Sequence, residues 1–458
     1  MVYWCEHCRV PVFGRKKCPV CHGTLRQISR TGICNPVFLQ EKKLLSLIWE
    51  EPVTEKSVWY LGGGYYLVDG EGRKLPLGKF YKSGKHLAAA KGLRQDLEQE
   101  DEIPDQDLFL AANELYLNAL VYEAETYVQD IYQKYAKSPE HPYMPTVSFS
   151  GGKDSTAVSR LVRDALKSER ILHYFGDTTL EFPDTYRYVN EIFRKENPFT
   201  PLLPGETENN FYQLCKVFGP PSKFERWCCT IFKTSNLNAE LQNLEGRSLS
   251  FLGIRRSESK ERQNYERTEA DSKIGSQINA MPLIDWKDCD IWLYLLYKGL
   301  AFNEVYRFGY KRVGCFCCPN NSEWSAMLTE IYYPKLSADW KAVLYAFAEK
   351  TGKTDAKDYV ENGKWRARRG ASGLAERNVS LVDTSCNLSD RARNILIQKK
   401  ISRDILEFLK PFGKLEIFEK EDTAYISIWE QEIRGEGGGV RFPKRKVCEV
   451  ILTFGTKV

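Results

Sequence analysis

The chain has 458 residues, with 66 basic and 61 acidic side chains and a formal charge of +5 at neutral pH. That length exceeds what one hydrophobic core usually holds, and 42% hydrophobic with 28% charged residues excludes wholesale disorder. No apolar run reaches the roughly 18 residues of a membrane span, and the first residues lack the pattern of a secretion signal, so a cytoplasmic protein with no membrane association is expected.

Taken in chain order, residues 1–40 are turn-rich and carry six basic side chains against one acidic. Cys5-x2-Cys8-x9-Cys18-x2-Cys21 gives two paired knuckles, the pattern of a tetrahedral four-thiolate zinc ribbon, with rubredoxin-type iron as the alternative. Forty residues bury too little to fold alone, so a metal would hold this module together. Its basic side chains, Arg9, Arg15, Lys16, Lys17, Arg26 and Arg30, suit either a solvated surface or contact with nucleic acid. Residues 44–82 read as short strands, with turns at Gly62–Gly64 and Asp69-Gly70. An acidic stretch over 99–105 reads as a linker. Apolar positions Leu108, Ala112, Leu115, Ala119 and Tyr122 predict a long helix over 108–136.

From Thr146 to about Leu300, short apolar strands alternate with amphipathic helices, predicting an α/β fold with a doubly wound parallel sheet. A basic stretch at 364–370 precedes a segment read as a helix over 390–410 and three strands at 414–419, 424–430 and 446–454. The expected organisation is a zinc ribbon (1–40), a small β-rich domain (41–105), a catalytic domain with a lead-in helix (106–345), a basic linker (346–375) and a small α+β accessory domain (376–458). Residues 364–458 carry 19 basic and 13 acidic side chains, so two basic ends flank an acidic body.

The strongest motif is Ser148-Phe-Ser-Gly-Gly-Lys-Asp-Ser155, placed where a strand ends and a helix begins. Adjacent Gly151 and Gly152 permit a tight turn whose N–H groups face an anion at the positive helix end. Ser148, Ser150 and Ser155 offer hydroxyls, while Lys153 and Asp154 add charge. The glycine spacing differs from that of the GTPase P-loop. Further along, Asp177 follows the next strand, at the crevice where open α/β sheets bind ligands. Arg255, Arg256 and Arg262 are candidate anion-binding side chains.

The loop resembles the signature of the PP-loop ATP pyrophosphatases, and within them the phosphoadenylyl-sulfate (PAPS) reductase family. The resemblance runs over roughly residues 143–335, through Phe175–Thr185, Arg226–Lys233, Gly253–Arg262, Pro282–Trp286 and Arg312–Pro319. It implies a PP-loop core that binds an adenine nucleotide, ATP with Mg²⁺. Cys228-Cys229 with Cys315-x2-Cys318 look like the four ligands of the [4Fe–4S] cluster in adenylyl-sulfate reductases, although four thiolates would also suit zinc. Cys317 is an extra thiol between the last two and is a candidate for catalysis.

Two departures bear on the reaction. The catalytic cysteine of those reductases sits in a Glu-Cys-Gly-Leu-His-like tail that is not seen here, and Cys448 lies in an alternating strand pattern. Those reductases also usually lose the Lys-Asp-Ser end of the loop, which Lys153, Asp154 and Ser155 retain. Both favour ATP-dependent adenylylation of a substrate followed by sulfur transfer, with tRNA or another nucleic acid as acceptor and a sulfur or electron donor protein as partner. The alternatives are an adenylyl-sulfate or PAPS reductase releasing sulfite, and a non-catalytic nucleotide sensor.

Overall fold

The architecture comes from a computed structural model of the chain. It describes residues 1–95, 103–140, 142–205, 210–223, 226–235, 247–269, 277–366, 382–385, 393–396, 406, 409, 414–420, 423–429 and 446–453.

The N-terminal strands β1 (Val2–Cys5), β2 (Val10–Phe13) and β3 (Arg26–Ser29) form an antiparallel sheet in the order β2-β1-β3. The ribbon is welded to the body rather than tethered to it. The Phe13 N–H donates to Asn113 Oδ1 at 2.7 Å, and Asn113 Nδ2 donates back to the Pro11 carbonyl at 2.9 Å. Phe13 also meets Phe109 and Tyr116 edge-on.

A second antiparallel sheet runs β4 (Asn35–Pro36), β5 (Val58–Gly62), β6 (Tyr65–Val68) and β7 (Glu71–Lys74). Asp69 and Gly70 both take positive φ, 48° and 88°, which gives the turn the twist that flanking strands prefer. The reading of 44–82 as strands is corrected at its two ends. Leu39–Trp49 and Leu77–Lys82 are helices, followed by another over Lys85–Gln95. Leu44, Leu45 and Ile48 recur at helical spacing and bury one face of the first.

The long helix is present as Gln106–Ile131, ending in a wider turn over Tyr132–Ala136. Its buried face is not the one the periodicity suggested. Leu115 and Tyr122 are exposed, whereas Phe109, Ala112, Asn113, Leu117, Ala124 and Val128 face inward. A polar residue, Asn113, marks the contact face because the ribbon satisfies its amide.

The central sheet holds β8 (Tyr143–Phe149), β9 (Leu172–Phe175), β10 (Leu202–Pro204), β11 (Arg247–Phe251), β12 (Thr268–Glu269) and β13 (Gln277–Ala280). Its order is β10-β9-β8-β11-β13-β12, parallel except for the antiparallel edge strand β12. Successive strands first move outward from β8 through β9 to β10, then restart on its other side at β11. The order therefore reverses between β8 and β11, and a doubly wound sheet opens its ligand crevice at such a reversal, beyond the C-terminal strand ends.

Near the C-terminus, β14 (Val382–Ser385) pairs with β15 (Arg393–Leu396), and β16 (Lys414–Lys420), β17 (Thr423–Trp429) and β18 (Lys446–Thr453) form a meander. The last three strands match expectation. β15 replaces the start of the helix expected over 390–410, most of which lies outside the described residues, as does most of the acidic stretch at 99–105. Among the described residues, no helix is long and apolar enough to cross a membrane.

Candidate functional site

The glycine loop leaves the C-terminal end of β8 and enters the helix Lys153–Leu166. Gly151 has φ 69°, and a Cβ there would lie 2.8 Å from Val189 Cγ2, so both conformation and space require glycine. The Ser155 hydroxyl ties the loop together, accepting from the Ser150 N–H at 3.2 Å and donating to the Gly152 carbonyl at 2.9 Å. Tyr306 OH accepts from the Lys153 N–H at 3.0 Å.

Beneath the loop sits a charge quartet. Lys153 Nζ lies 2.8 Å from Asp154 Oδ2 and 2.9 Å from Asp288 Oδ1. Arg255 Nε reaches Asp154 at 2.6 Å, and its Nη2 reaches Asp288 at 2.8 Å. Burial opposes the charge on Asp288, yet Lys153 and Arg255 hold its carboxyl down at about 2. Burial likewise works against the Lys153 ammonium, and the two carboxylates raise it. Gly253, just after β11, makes the quartet possible, because a Cβ there would stand 2.9 Å from the Asp154 carbonyl carbon.

These groups line a crevice of about 690 Å³ at the β8/β11 reversal, together with Ser148, Ser150, Gly152, Arg262, Lys311 and Arg312. Thr31, Ile33, Asn35 and Tyr60 from the N-terminal region complete it. Asn35 Nδ2 donates to Asp288 at 2.5 Å.

Not every residue picked from sequence faces this crevice. Arg256 pairs with Asp285 and donates to the Tyr265 carbonyl, away from the lining. Asp177 accepts from the Thr179 N–H and Tyr186 OH, both at 2.7 Å, and lines neither this crevice nor the neighbouring cavity. Arg262 does line it, paired with Glu258. Sequence reasoning missed Asp288 and Tyr306. Asp288 had a local signal, lying just after the Pro282–Trp286 motif at the start of a helix, whereas Tyr306 had none.

Cys228, Cys229, Cys315, Cys317 and Cys318 line a second cavity of about 330 Å³. The first pair lies on the helical turn Trp227–Cys229. The second knuckle closes with the Cys318 N–H donating to the Cys315 carbonyl at 3.2 Å, and the Phe316 N–H fastens it to the Leu180 carbonyl at 2.9 Å. Arg226, Lys233 and Arg312 face the same space. The Cys228 thiol, then Lys233, Arg226 and Arg312, overcome burial and lower Cys229 to about 6. Burial, reinforced by Glu181, pushes Cys315 up to about 12. Cys317 is 3% exposed and packed in apolar core, where burial lifts its thiol well above the usual range. That environment works against a thiolate at Cys317.

The four ribbon sulfurs all lie within 4.8 Å of one another, with Cys5–Cys21 at 3.4 Å and Cys8–Cys18 at 3.8 Å. Tetrahedral zinc with bonds of about 2.3 Å sets its thiolates roughly 3.8 Å apart, so the set fits a single ion. Arg9 and His22, each following a knuckle's second cysteine, adopt positive φ as the chain turns back around the sulfurs. Among the described residues this is the only group of three or more ligand-type side chains drawn that close.

A parallel sheet carrying a Ser-Gly-Gly-Lys-Asp-Ser loop at its reversal point is the arrangement of the PP-loop fold. Residues 144–321 match the phosphoadenosine phosphosulfate reductase domain, and over that span the chain is similar to that family. An uncharacterized protein of Methanocaldococcus jannaschii is 34% identical over 261 residues, covering 57% of this chain and 52% of the relative. The adenosine 5'-phosphosulfate reductase of Anoxybacillus flavithermus is 32% identical over 151 residues, 31% of this chain and 60% of that enzyme. The chain thus spans about half to three fifths of the length of these curated relatives. A solved phosphoadenylyl-sulfate (PAPS) reductase from Candida auris has a TM-score of 0.33 at 16% identity, covering 44% of this chain and 94% of that one.

Proposed function

We propose that the protein is an ATP-dependent sulfur-transfer enzyme, which adenylylates an acceptor oxygen and then replaces that oxygen with sulfur. One observation carries this reading. The phosphate-loop crevice and the cysteine cavity share Ser148, Ser150, Arg312 and Val313, so a nucleotide on the loop would face the thiols directly. The retained Lys153, Asp154 and Ser155 support pyrophosphate cleavage.

In this reading ATP enters with Mg²⁺, its phosphates meeting the loop N–H groups and the helix N-terminus. An acceptor oxygen attacks the α-phosphorus and pyrophosphate leaves. Lys153 and the helix end stabilise the charge developing on the leaving oxygens, a matter of positioning and electrostatics. A hydrosulfide donor then forms a bond to the activated centre, and AMP departs with the oxygen; from a persulfide donor the same displacement leaves a disulfide, which a second thiol cleaves to free the new sulfur on the acceptor. Cys228, Cys229, Cys315 and Cys318 would hold a [4Fe–4S] cluster, which when bound supplies sulfur-ligating or electron-transfer capacity. The Cys5, Cys8, Cys18 and Cys21 set would hold zinc. Arg15, Lys16, Lys17 and Arg30 on the ribbon are exposed and make no ion pair among the described residues, which favours a polyanionic acceptor such as tRNA. Arg9 and Arg26 are already paired, with Asp69 and Glu6.

Kinship to adenosine 5'-phosphosulfate reductases supports a second reading, sulfite release from adenylyl sulfate or PAPS. It needs a thiolate nucleophile, and the burial of Cys317 weighs against that residue. Anaerobic assays separate the two: AMP and pyrophosphate from ATP support the first, and sulfite from adenylyl sulfate with a thiol donor supports the second.

A further inference from the structure

The cations of the crevice are almost all committed. Lys153 and Arg255 share Asp154 and Asp288, Arg262 pairs with Glu258, and Lys311 binds both oxygens of the buried Glu41 at 2.5 and 2.6 Å. The quartet carries two positive and two negative charges, so it presents no net charge to a phosphate. A nucleotide brings several negative charges and must find an unpaired cation.

Arg312 is that cation. It is exposed, lines both the crevice and the cysteine cavity, and makes no ion pair among the described residues. Its backbone is well held, because neighbouring Lys311 is locked to Glu41 and Lys311 Nζ lies over the Tyr60 ring, 4.4 Å from its centroid. Burial first, and then the nearness of Arg312, lower the Arg262 guanidinium, so Arg312 reaches the nucleotide side of the junction. A guanidinium with open donors on a fixed backbone suits bidentate recognition of an oxyanion.

We propose that Arg312 binds the α-phosphate of the adenine nucleotide at the junction of the two cavities. The assignment rests on the sulfur-transfer reading, since it is there that the bond broken and the incoming sulfur meet at the activated phosphate. Gly152, Lys153, Asp154 and Ser155, at the helix N-terminus, line the crevice and not the cysteine cavity, and in this reading they take the departing pyrophosphate. Arg312 is therefore a substrate-binding residue that holds the adenylyl phosphate facing the thiols after pyrophosphate has gone.

The test is equilibrium binding of AMP and of inorganic pyrophosphate to the wild-type protein, Arg312→Ala and Arg312→Lys, each first shown to keep the wild-type melting temperature. Arg312→Ala should weaken AMP tenfold or more and leave pyrophosphate within about twofold, and Arg312→Lys should recover part of the AMP affinity. Equal loss of both ligands, or no loss of either, overturns the assignment while leaving the nucleotide reading in place. A wild-type protein that binds neither ligand overturns the nucleotide reading, and the Arg312 assignment with it.

Discussion

Arg255 donates its Nε to Asp154 Oδ1 at 2.6 Å, joining the segment after β11 to the first turn of the phosphate-loop helix, 101 residues earlier in the chain. The same guanidinium reaches Asp288, so three separate segments meet in one buried network. Arg255 and Lys153 are thereby positioned rather than free, and the loop inherits its shape from contacts that span the sheet.

Removing one member should expose how strongly the network depends on balance. Asp288→Ala leaves Lys153 and Arg255 sharing one carboxylate in a buried site, a change expected to cost about 3–5 kcal/mol. Chemical denaturation checks the magnitude. The pH dependence has a definite sign: with Asp288 held at about 2 against a usual value of 3.8, its contribution is present above pH 4 and is lost as pH falls toward 2. Wild-type stability should decline over that window, and Asp288→Asn should flatten the decline.

Gly253→Ala tests the close approach of β11 to the loop. A methyl group 2.9 Å from backbone carbon has no flexible side chain to displace, so the loop itself must move. The variant should keep its fold with a lower melting temperature and lose nucleotide affinity by tenfold or more. Calorimetric titration with ATP reads the loss, and unchanged affinity would contradict the packing described here.

His173 supplies a second pH effect. It is fully buried on β9, where its Nδ1–H donates to the Ile171 carbonyl and its Nε2 accepts from the Ser159 hydroxyl, both at 2.8 Å. Burial lowers its pKa to about 4 from 6.5, so between pH 6.5 and 4 the unfolded chain binds the extra proton. Stability should fall through that interval by roughly 3 kcal/mol and then level off. His173→Gln should be less stable at pH 7 but show a shallower slope.

Zinc should matter to the body as well as to the ribbon. Because the Phe13 N–H and the Pro11 carbonyl are fastened to Asn113, unfolding the ribbon exposes the face of the Gln106–Ile131 helix. Cys8→Ser should remove about one zinc per chain and lower the main melting transition. Metal analysis with scanning calorimetry checks both; a zinc-free variant that melts like wild type would show the ribbon to be independent.

Local patterns made much of this legible in the amino-acid sequence. The Ser150–Ser155 loop, the parallel alternation after Thr146, the paired ribbon cysteines and the final meander all rest on residues within a few positions of one another. What escaped depends on partners distant in sequence. Leu115 and Tyr122 fit the helical period as well as the residues that are buried, and only packing against the ribbon, the phosphate-loop helix and the Asp288–Tyr297 helix distinguishes the faces. Arg255 and Arg256 are neighbours of identical chemistry, yet Asp154 and Asp288 draw one beneath the loop while Asp285 turns the other away. Asp288 has no significance until Lys153 and Arg255 arrive around it.

The most direct test is product analysis with anaerobically purified protein given ATP, Mg²⁺, tRNA and a sulfide donor. AMP and pyrophosphate formed in equal amounts, matched by sulfur incorporated into the RNA, is the result the account predicts. Failure to cleave ATP, with sulfite released from adenylyl sulfate in the presence of a thiol, would contradict it.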